Sequence, residues 1–380
     1  MIGKSTYQAA QKVAKTVEQH FADYYAAARE RGEQKLAPVP SAQVIETIID
    51  TAFWASLRHE EGQSPKISLV FLPPEMAGLP LLFKQRLPFK PDVLAKLSPG
   101  VERPGIHLGV WYEDDELYIW GTTRDIKYFC FVVDVSEPGL LVVKHRRKKG
   151  MGKFANVVVL KGDQVKVVDE ESASLPDCPE VLTSLLGFSS PSSWTSSVNV
   201  LVQLAVSMRA HGHGGSLLVV PADTDEWQES IIQPITYAVQ PHFSGLSDLM
   251  QQSKEEQQQS LWQRENQRVI DNIAGLTAVD GATVISDKYE LLAFGAKIGR
   301  RRGHTPVEQI IMTEPVVNEG AVIVHPSQSG GTRHLSAAQF VHDQRNTLAL
   351  IASQDGRFTI FTWSPCEGMV HAHRIDALLL

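Results

Sequence analysis

Val279-Asp280-Gly281-Ala282-Thr283-Val284-Ile285 and Gly330-Gly331-Thr332-Arg333-His334-Leu335-Ser336-Ala337-Ala338 are the two stretches on which the reading of this chain turns. Each sits where a β-run meets a turn. Together they supply a carboxylate, compliant backbone, a hydroxyl, a guanidinium and an imidazole. A carboxylate can hold a divalent cation against phosphate oxygens. Glycine amides, with Thr332, Arg333 and His334, can cradle the phosphates themselves. That is nucleotide chemistry. Neither stretch is Gly-x-x-x-x-Gly-Lys-Ser/Thr, and no credible Gly-x-Gly-x-x-Gly follows a strand, so the two commonest nucleotide folds lose support. Taken alone, Asp280-Gly281 would read as an ordinary hairpin turn.

The surroundings add order. Asp280-Gly281-Ala282 leads into a strand pair ending at Phe294-Gly295-Ala296, and Thr332-Arg333-His334 opens a helix. Thr347 to Ala352 then reads as a strand running into the turn Ser353-Gln354-Asp355-Gly356, and upstream Gly214-Gly215-Ser216-Leu217-Leu218-Val219-Val220-Pro221 reads as a first strand. In that order these segments resemble the diadenylate cyclase (DAC) domain, whose signatures are Asp-Gly-Ala and Gly-Thr-Arg-His-Arg-x-Ala. The resemblance covers roughly half of the chain, from about Trp194 onward.

The resemblance implies a mixed β-sheet flanked by helices, of α+β or α/β class, over residues 189–380. An α+β domain over residues 1–188 would precede it as sensor or regulator. It implies condensation of two ATP molecules into cyclic di-AMP with release of pyrophosphate, each ribose 3′-hydroxyl attacking the other's α-phosphate in line. Positioning and charge neutralisation dominate such chemistry. Asp280 is then the Mg²⁺ or Mn²⁺ ligand and the neighbour of the attacking hydroxyl. Gly281 and Ala282, with Gly295, let the backbone approach the nucleotide. Gly331, Thr332, Arg333, His334 and Ser336 would face phosphate at a helix N-terminus, while Ser353 and Gln354 would contribute from the neighbouring strand end. Two such domains meet face to face in the family, which implies a homodimer or higher assembly. Two positions depart from the pattern. Leu335 stands where the second arginine is expected, and Gln354 where an acidic residue is expected, which removes a guanidinium and a charge. A nucleotide-holding module without turnover is therefore the competing reading.

Composition sets outer bounds. The chain has 380 residues and a formal charge of −7, so a protein that coats nucleic acid is not expected. The local run Lys144-His145-Arg146-Arg147-Lys148-Lys149 keeps open a phosphate-bearing ligand or, more weakly, a DNA-associated scaffold, beside the plain reading of a charged strand end. Apolar stretches such as Val198 to Met208 are too short to span a bilayer. The polar N-terminus lacks a signal core, and Cys130, Cys178 and Cys366 are too scattered for a disulfide framework or zinc site. A cytoplasmic location is expected.

Along the first half, helical spacing predicts helices over Thr6–Arg31 and from Ser41. Short alternating runs from Ile67 to Lys161 then predict a substantially antiparallel sheet. Trp111, Tyr112, Tyr118 and Trp120 suit either half of that sheet's core or a ligand pocket. Further on, Ser247–Asn272 is predicted as one long helix with Leu249, Leu261, Trp262 and Ile270 as buried positions. His211 and His213 read as a tight connection or, less well supported, metal ligands. Arg300-Arg301-Arg302 offers positive charge from a loop, solvated or facing triphosphate.

Overall fold

The computed structural model describes residues 5–33, 36–59, 62–103, 105–113, 116–147, 154–168, 200–257, 259–317 and 320–379. The chain divides into two compact units, residues 1–169 and 170–379. Both are α+β, each a mixed sheet flanked by helices. The boundary expected at 188, the Gly187–Ser193 segment, Cys178, Lys148 and Lys149 lie outside the described residues.

The first unit begins with α1 (Gln8–Glu30), which buries Ala9, Val13, Val17 and Phe21 at helical spacing. Tyr24, on the same stripe, ends up exposed. In α2 (Ala42–Ser56) the N-terminus is closed by Ser41, whose hydroxyl accepts from the Val44 N–H at 3.4 Å. There follow β1 (Ile67–Phe71), β2 (Leu81–Pro88), α3 (Pro91–Val101), β3 (His107–Glu113), β4 (Glu116–Thr123), β5 (Phe131–Glu137), β6 (Leu140–Arg146), β7 (Phe154–Lys161) and β8 (Gln164–Val167). Among the described residues they form a sheet of order β2-β4-β3-β1-β5-β6-β7-β8. It is antiparallel except where β1 lies parallel to β3. Three of its elements escaped sequence reading. β2 is mostly exposed and so lacks an apolar alternation, β8 is only half-buried, and α3 carries Pro99 inside it, which reads as a breaker.

One face of this sheet, with Leu69, Phe71, Val133, Leu141 and Val143, packs against α1, α2 and α3. On the opposite face lies a smaller apolar cluster built from Val70, Leu72, Cys130 and Val132. Trp120 is core rather than pocket lining: its indole N–H donates to the Leu72 carbonyl at 2.8 Å. Its ring occupies the space that a Cβ on Gly109 would need.

The second unit contains α4 (Val200–Ala210), β9 (Gly215–Val220), β10 (Tyr237–Phe243), α5 (Gly245–Gln251), α6 (Lys254–Gln257), α7 (Ser260–Leu276), β11 (Ala282–Ser286) and β12 (Leu291–Ala296). It continues with β13 (Ile310–Thr313), β14 (Val322–Val324), α8 (Pro326–Ser329), α9 (Thr332–Asp343), β15 (Leu348–Ala352), β16 (Phe358–Ser364), β17 (Met369–Arg374) and α10 (Asp376–Leu379). Among the described residues the sheet order is β10-β12-β11-β9-β15-β16-β17-β13-β14. α4, α5 and α7 cover one face and α9 the other. The central strand β9 is therefore buried along its whole length, which explains its unbroken small and apolar sequence.

The single helix expected over Ser247–Asn272 is instead three. The break falls at Ser253, whose hydroxyl accepts from the Glu256 N–H at 3.3 Å while the Glu256 carboxylate accepts from the Ser253 N–H at 2.9 Å. This reciprocal pair is a capping box, and it starts a new helix rather than continuing the old one. Leu249, Trp262 and Ile270 are buried as expected, but Leu261, in the first turn of α7, is exposed.

Candidate functional site

Strand register brings the two diagnostic stretches to one end of the second sheet. Thr283 pairs with Leu217 in the parallel β11–β9 ladder, which sets Gly281 level with Gly215. Gly215 in turn faces Ala352 at the end of antiparallel β15, and Ala282 faces Ala296 at the end of β12. The starts of β9 and β11 and the ends of β12 and β15 thus share one rim.

The rim is built on close backbone contact. Gly281 has φ +111°, and a Cβ there would lie 2.5 Å from the Gly295 carbonyl carbon. Gly295, at φ +61°, would in turn drive a Cβ to 2.8 Å from the Tyr237 ring. Both conformations are ones that L side chains rarely adopt. Ala282 is buried beneath them.

Asp280 stands on this rim with its side chain 87% exposed, ion-paired to Lys297, the residue immediately after β12. Its carboxyl is held below the usual range by the Lys297 hydrogen bond and charge. Against slight desolvation, the Arg333 guanidinium adds to the same effect. Arg333 is also fixed by the other wall, since a Cβ on Gly214 would come 2.9 Å from Arg333 Nη1 and 3.3 Å from Gln354 Cγ. Gly214 carries φ +72° and precedes β9, while Gln354 donates its amide N–H to the His213 carbonyl at 3.3 Å. Among the described residues, neither Arg333 nor the Ser353 hydroxyl has a hydrogen-bond partner, so both can serve a ligand.

α9 opens at this rim. Gly331 and Thr332 are exposed, and Arg333 and Ser336 are half-buried. The His334 N–H is taken up by the Gly331 carbonyl at 3.0 Å, which leaves the Thr332 and Arg333 amides, with the helix dipole, to favour an anion here. His334 points the other way. It is 2% exposed, its Nε2 lies 3.4 Å from Thr359 Oγ1, and its ring meets Phe361 edge-on at 5.9 Å. Gly330 leaves room for the imidazole, since a Cβ there would sit 2.3 Å from Nδ1. Burial first, then the Arg374 charge, lowers the imidazole pKa to about 4; Asp355 opposes this, and Arg357 and Arg333 add to it. His334 is a neutral peg that sets where α9 begins. Leu335, at the position of the expected second arginine, is 39% exposed on the same turn.

The Arg300–His304 loop belongs elsewhere. Arg301 pairs with Glu229 at 2.7 Å and donates its backbone N–H to Asp343 at 2.8 Å, while His304 Nδ1 lies 3.1 Å from the same carboxylate. Asp343 ends α9, whose opposite end, Thr332, is about 16 Å away at 1.5 Å per residue. A triphosphate-facing role for this loop has no support. His304, His342 and Asp343 form the metal-sized cluster found among the described residues. The Asp343 carboxylate already accepts from Arg301, Gln339 and both imidazoles, which satisfies it without an ion. His211 and His213 belong to no such cluster. His211 Nε2 lies 3.2 Å from Thr277 Oγ1, and its Nδ1 accepts the His213 N–H at 3.1 Å, as a tight connection requires.

Sequence reading missed Lys297, which had one weak signal, a lysine directly after a strand of small residues. Gly214 and Gly330 fall within the stretches singled out, but their part in seating Arg333 and His334 is defined by what packs against them.

Residues 34–124 match the family described as "Probable sensor domain DACNV". The match lies within the first unit, from before α2 to the end of β4, and covers well under half of the chain. Among curated proteins none matches. A solved structure described as a hypothetical membrane-spanning protein from Bacillus cereus is similar at 16% identity and TM-score 0.27, over 50% of this chain and 68% of that one. A double mutant of DacA from Staphylococcus aureus is similar at 13% identity and TM-score 0.25, over 46% of this chain and 83% of that one. At such TM-scores neither likeness carries weight. No helix among the described residues is long and apolar enough to cross a membrane.

Proposed function

We propose that the second unit is a diadenylate cyclase, condensing two ATP into cyclic di-AMP, and that the first unit regulates it from the cytoplasm. One observation carries the reading. Strand register sets Gly281, next to Asp280, level with Gly215, and Arg333 at the mouth of α9 lies against Gly214, so the two motifs meet at one rim of the sheet. The ordered motifs around them supply the rest of a triphosphate site.

In this reading Arg333, Thr332 and the first amides of α9 bind phosphate oxygens, and Ser353 donates from the end of β15. Asp280, ionised under the influence of Lys297 and Arg333, orients the ribose hydroxyl. The donor set fits Mg²⁺ or Mn²⁺: one hard, exposed carboxylate suits a cation that takes few protein ligands and completes its shell with water and substrate phosphates. Such a cation supplies neutralisation of developing charge on the transferring phosphate. Lys297 then balances Asp280 in the absence of nucleotide. His334 is a positioning residue. In-line attack needs a second nucleotide on a facing site, so product formation requires two copies of the unit.

Purified full-length protein with ATP and Mg²⁺ or Mn²⁺ should form cyclic di-AMP, and Asp280→Asn should lower the rate by at least about 10²-fold. Product formation unaffected by Asp280→Asn would reject the assignment. Leu335 and Gln354 favour a second reading, a unit that holds nucleotide without turnover. The first offers an apolar side chain where a phosphate-facing cation is expected, and the second has its amide engaged by the His213 carbonyl. Saturable ATP binding in calorimetry with no product over prolonged incubation would decide for that alternative.

A further inference from the structure

The face of the first sheet opposite α1 and α2 carries a second constellation, unrelated to the cyclase reading. Ser68 on β1 and Asp134 on β5 are directly cross-strand, and Ser68 Oγ donates to Asp134 Oδ1 at 2.5 Å. The same hydroxyl lies 2.6 Å from His107 Nδ1 on β3. Asp134 is also ion-paired to Lys144 on β6, with side chains only 24% and 13% exposed. Lys144 lies over the Phe154 ring at 4.5 Å. These groups form the floor of a cavity of about 570 Å³, within the size range of small-molecule sites.

A half-buried ion pair is a poor way to stabilise a sheet, because desolvation offsets much of the attraction. One step along the same face, Val70 and Val132 fill the equivalent cross-strand position with apolar side chains. Polar groups at the base of an open cavity are placed where a ligand could reach them. Ser68 bridges His107 and Asp134, whereas in a hydrolytic triad the imidazole bridges, so the arrangement is not that of a nucleophile. Burial, opposed by Asp134 and reinforced by Lys144 and Arg146, lowers the His107 pKa to about 4. The ring is thus neutral, and with Ser68 donating to Asp134 its Nδ1–H donates to Ser68. Its Nε2, which has no hydrogen-bond partner among the described residues, remains an acceptor. At the rim, Lys66 and Glu102 neutralise one another at 3.5 Å, while Arg103 is exposed and adds positive charge. Lys144 and Arg146 alternate onto the same face of β6, so the basic run noted in the sequence begins inside this cavity.

We infer that this cavity binds a small organic anion that also carries a hydroxyl or amine. Its carboxylate or phosphate would lie against Lys144 and Arg103, and its hydrogen-bond donor against His107 Nε2. The site lies partly within the segment that matches a sensor family and gives that unit something to sense.

The test uses the full chain, with citrate, inorganic phosphate and AMP as separate probes in thermal-shift and calorimetric titrations. At least one should bind saturably and raise the melting temperature. Citrate alone would assign a hydroxycarboxylate, phosphate and AMP a phosphorylated ligand. Lys144→Gln should weaken that binding by at least about tenfold, and Ser68→Ala, which keeps the ion pair, should weaken it without loss of folding. Arg333→Ala should remove only phosphate or AMP binding that belongs to the second unit, leaving the Lys144-sensitive binding in place. If none of the three probes binds saturably, or binding survives both Lys144→Gln and Ser68→Ala, or Arg333→Ala abolishes the Lys144-sensitive binding, the inference is overturned.

Discussion

A methyl group at position 281 would land 2.5 Å from the carbonyl carbon of Gly295, so the first demand on Gly281 comes from its own sheet. Gly281→Ala should destabilise the second unit by about 1–3 kcal/mol, the strain of a non-glycine residue held at positive φ plus the displaced strand end. Urea denaturation of the full chain checks this, and an unchanged midpoint would mean that the β11–β12 contact is loose. The carboxylate beside it behaves differently. Asp280 is exposed and makes its ion pair at the surface, so Asp280→Asn should leave stability within about 0.5 kcal/mol while removing activity. Catalytic loss without unfolding is the result that separates a functional residue from a scaffold one.

The helix α9 does its work through its two ends. Its start is set by His334 resting in the space left by Gly330, and its finish by Asp343, which gathers Arg301, Gln339, His304 and His342. Gly330→Ala should push the imidazole from its slot and shift Thr332 and Arg333 with it. Nucleotide affinity measured by calorimetry is then expected to drop by about tenfold or more, as misplacement of a positioning element predicts. Affinity equal to wild type would show that the mouth of the helix is held by something else. Restart of the helix at Ser253 follows the same logic of caps. Ser253→Ala should cost about 1 kcal/mol and be visible as faster amide exchange over residues 254–257.

At the scale of the whole molecule, acid sensitivity is built into both sheets. Burial lowers the pKa of His107, His145, His334 and His371 to about 4, and holds that of His373 well below the usual imidazole range. His371 and His373 stack at 3.9 Å beside Thr313. Each is neutral when folded, whereas an unfolded histidine titrates near 6.5. Between about pH 6.5 and 4 the unfolded chain therefore binds more protons, and stability falls as pH falls through that window. Each of the four whose pKa falls to about 4 contributes up to about 3 kcal/mol of this loss. Denaturation midpoints across pH 7 to 4 should fall steeply, and His371→Gln should reduce the slope by about one proton; a flat profile would show that these imidazoles are open to water.

Residue types and their order determined much of this protein. Ser41 announced α2, short apolar runs announced most strands of the first sheet and β9, β11, β12 and β15 of the second, and Asp280 and Thr332-Arg333 each stood at the start of the element they were expected to open, because caps, turns and alternation are local effects. Ser253-x-x-Glu256 was equally local and simply went unread. Only the tertiary structure decided that Lys297 answers Asp280, that His334 faces inward, that the Arg301 loop serves the far end of α9, and that Ser68, His107, Asp134 and Lys144 meet on one face. Those facts depend on strand order and register, which join residues far apart in the chain, and no single-residue or helical periodicity records which strand will lie beside which.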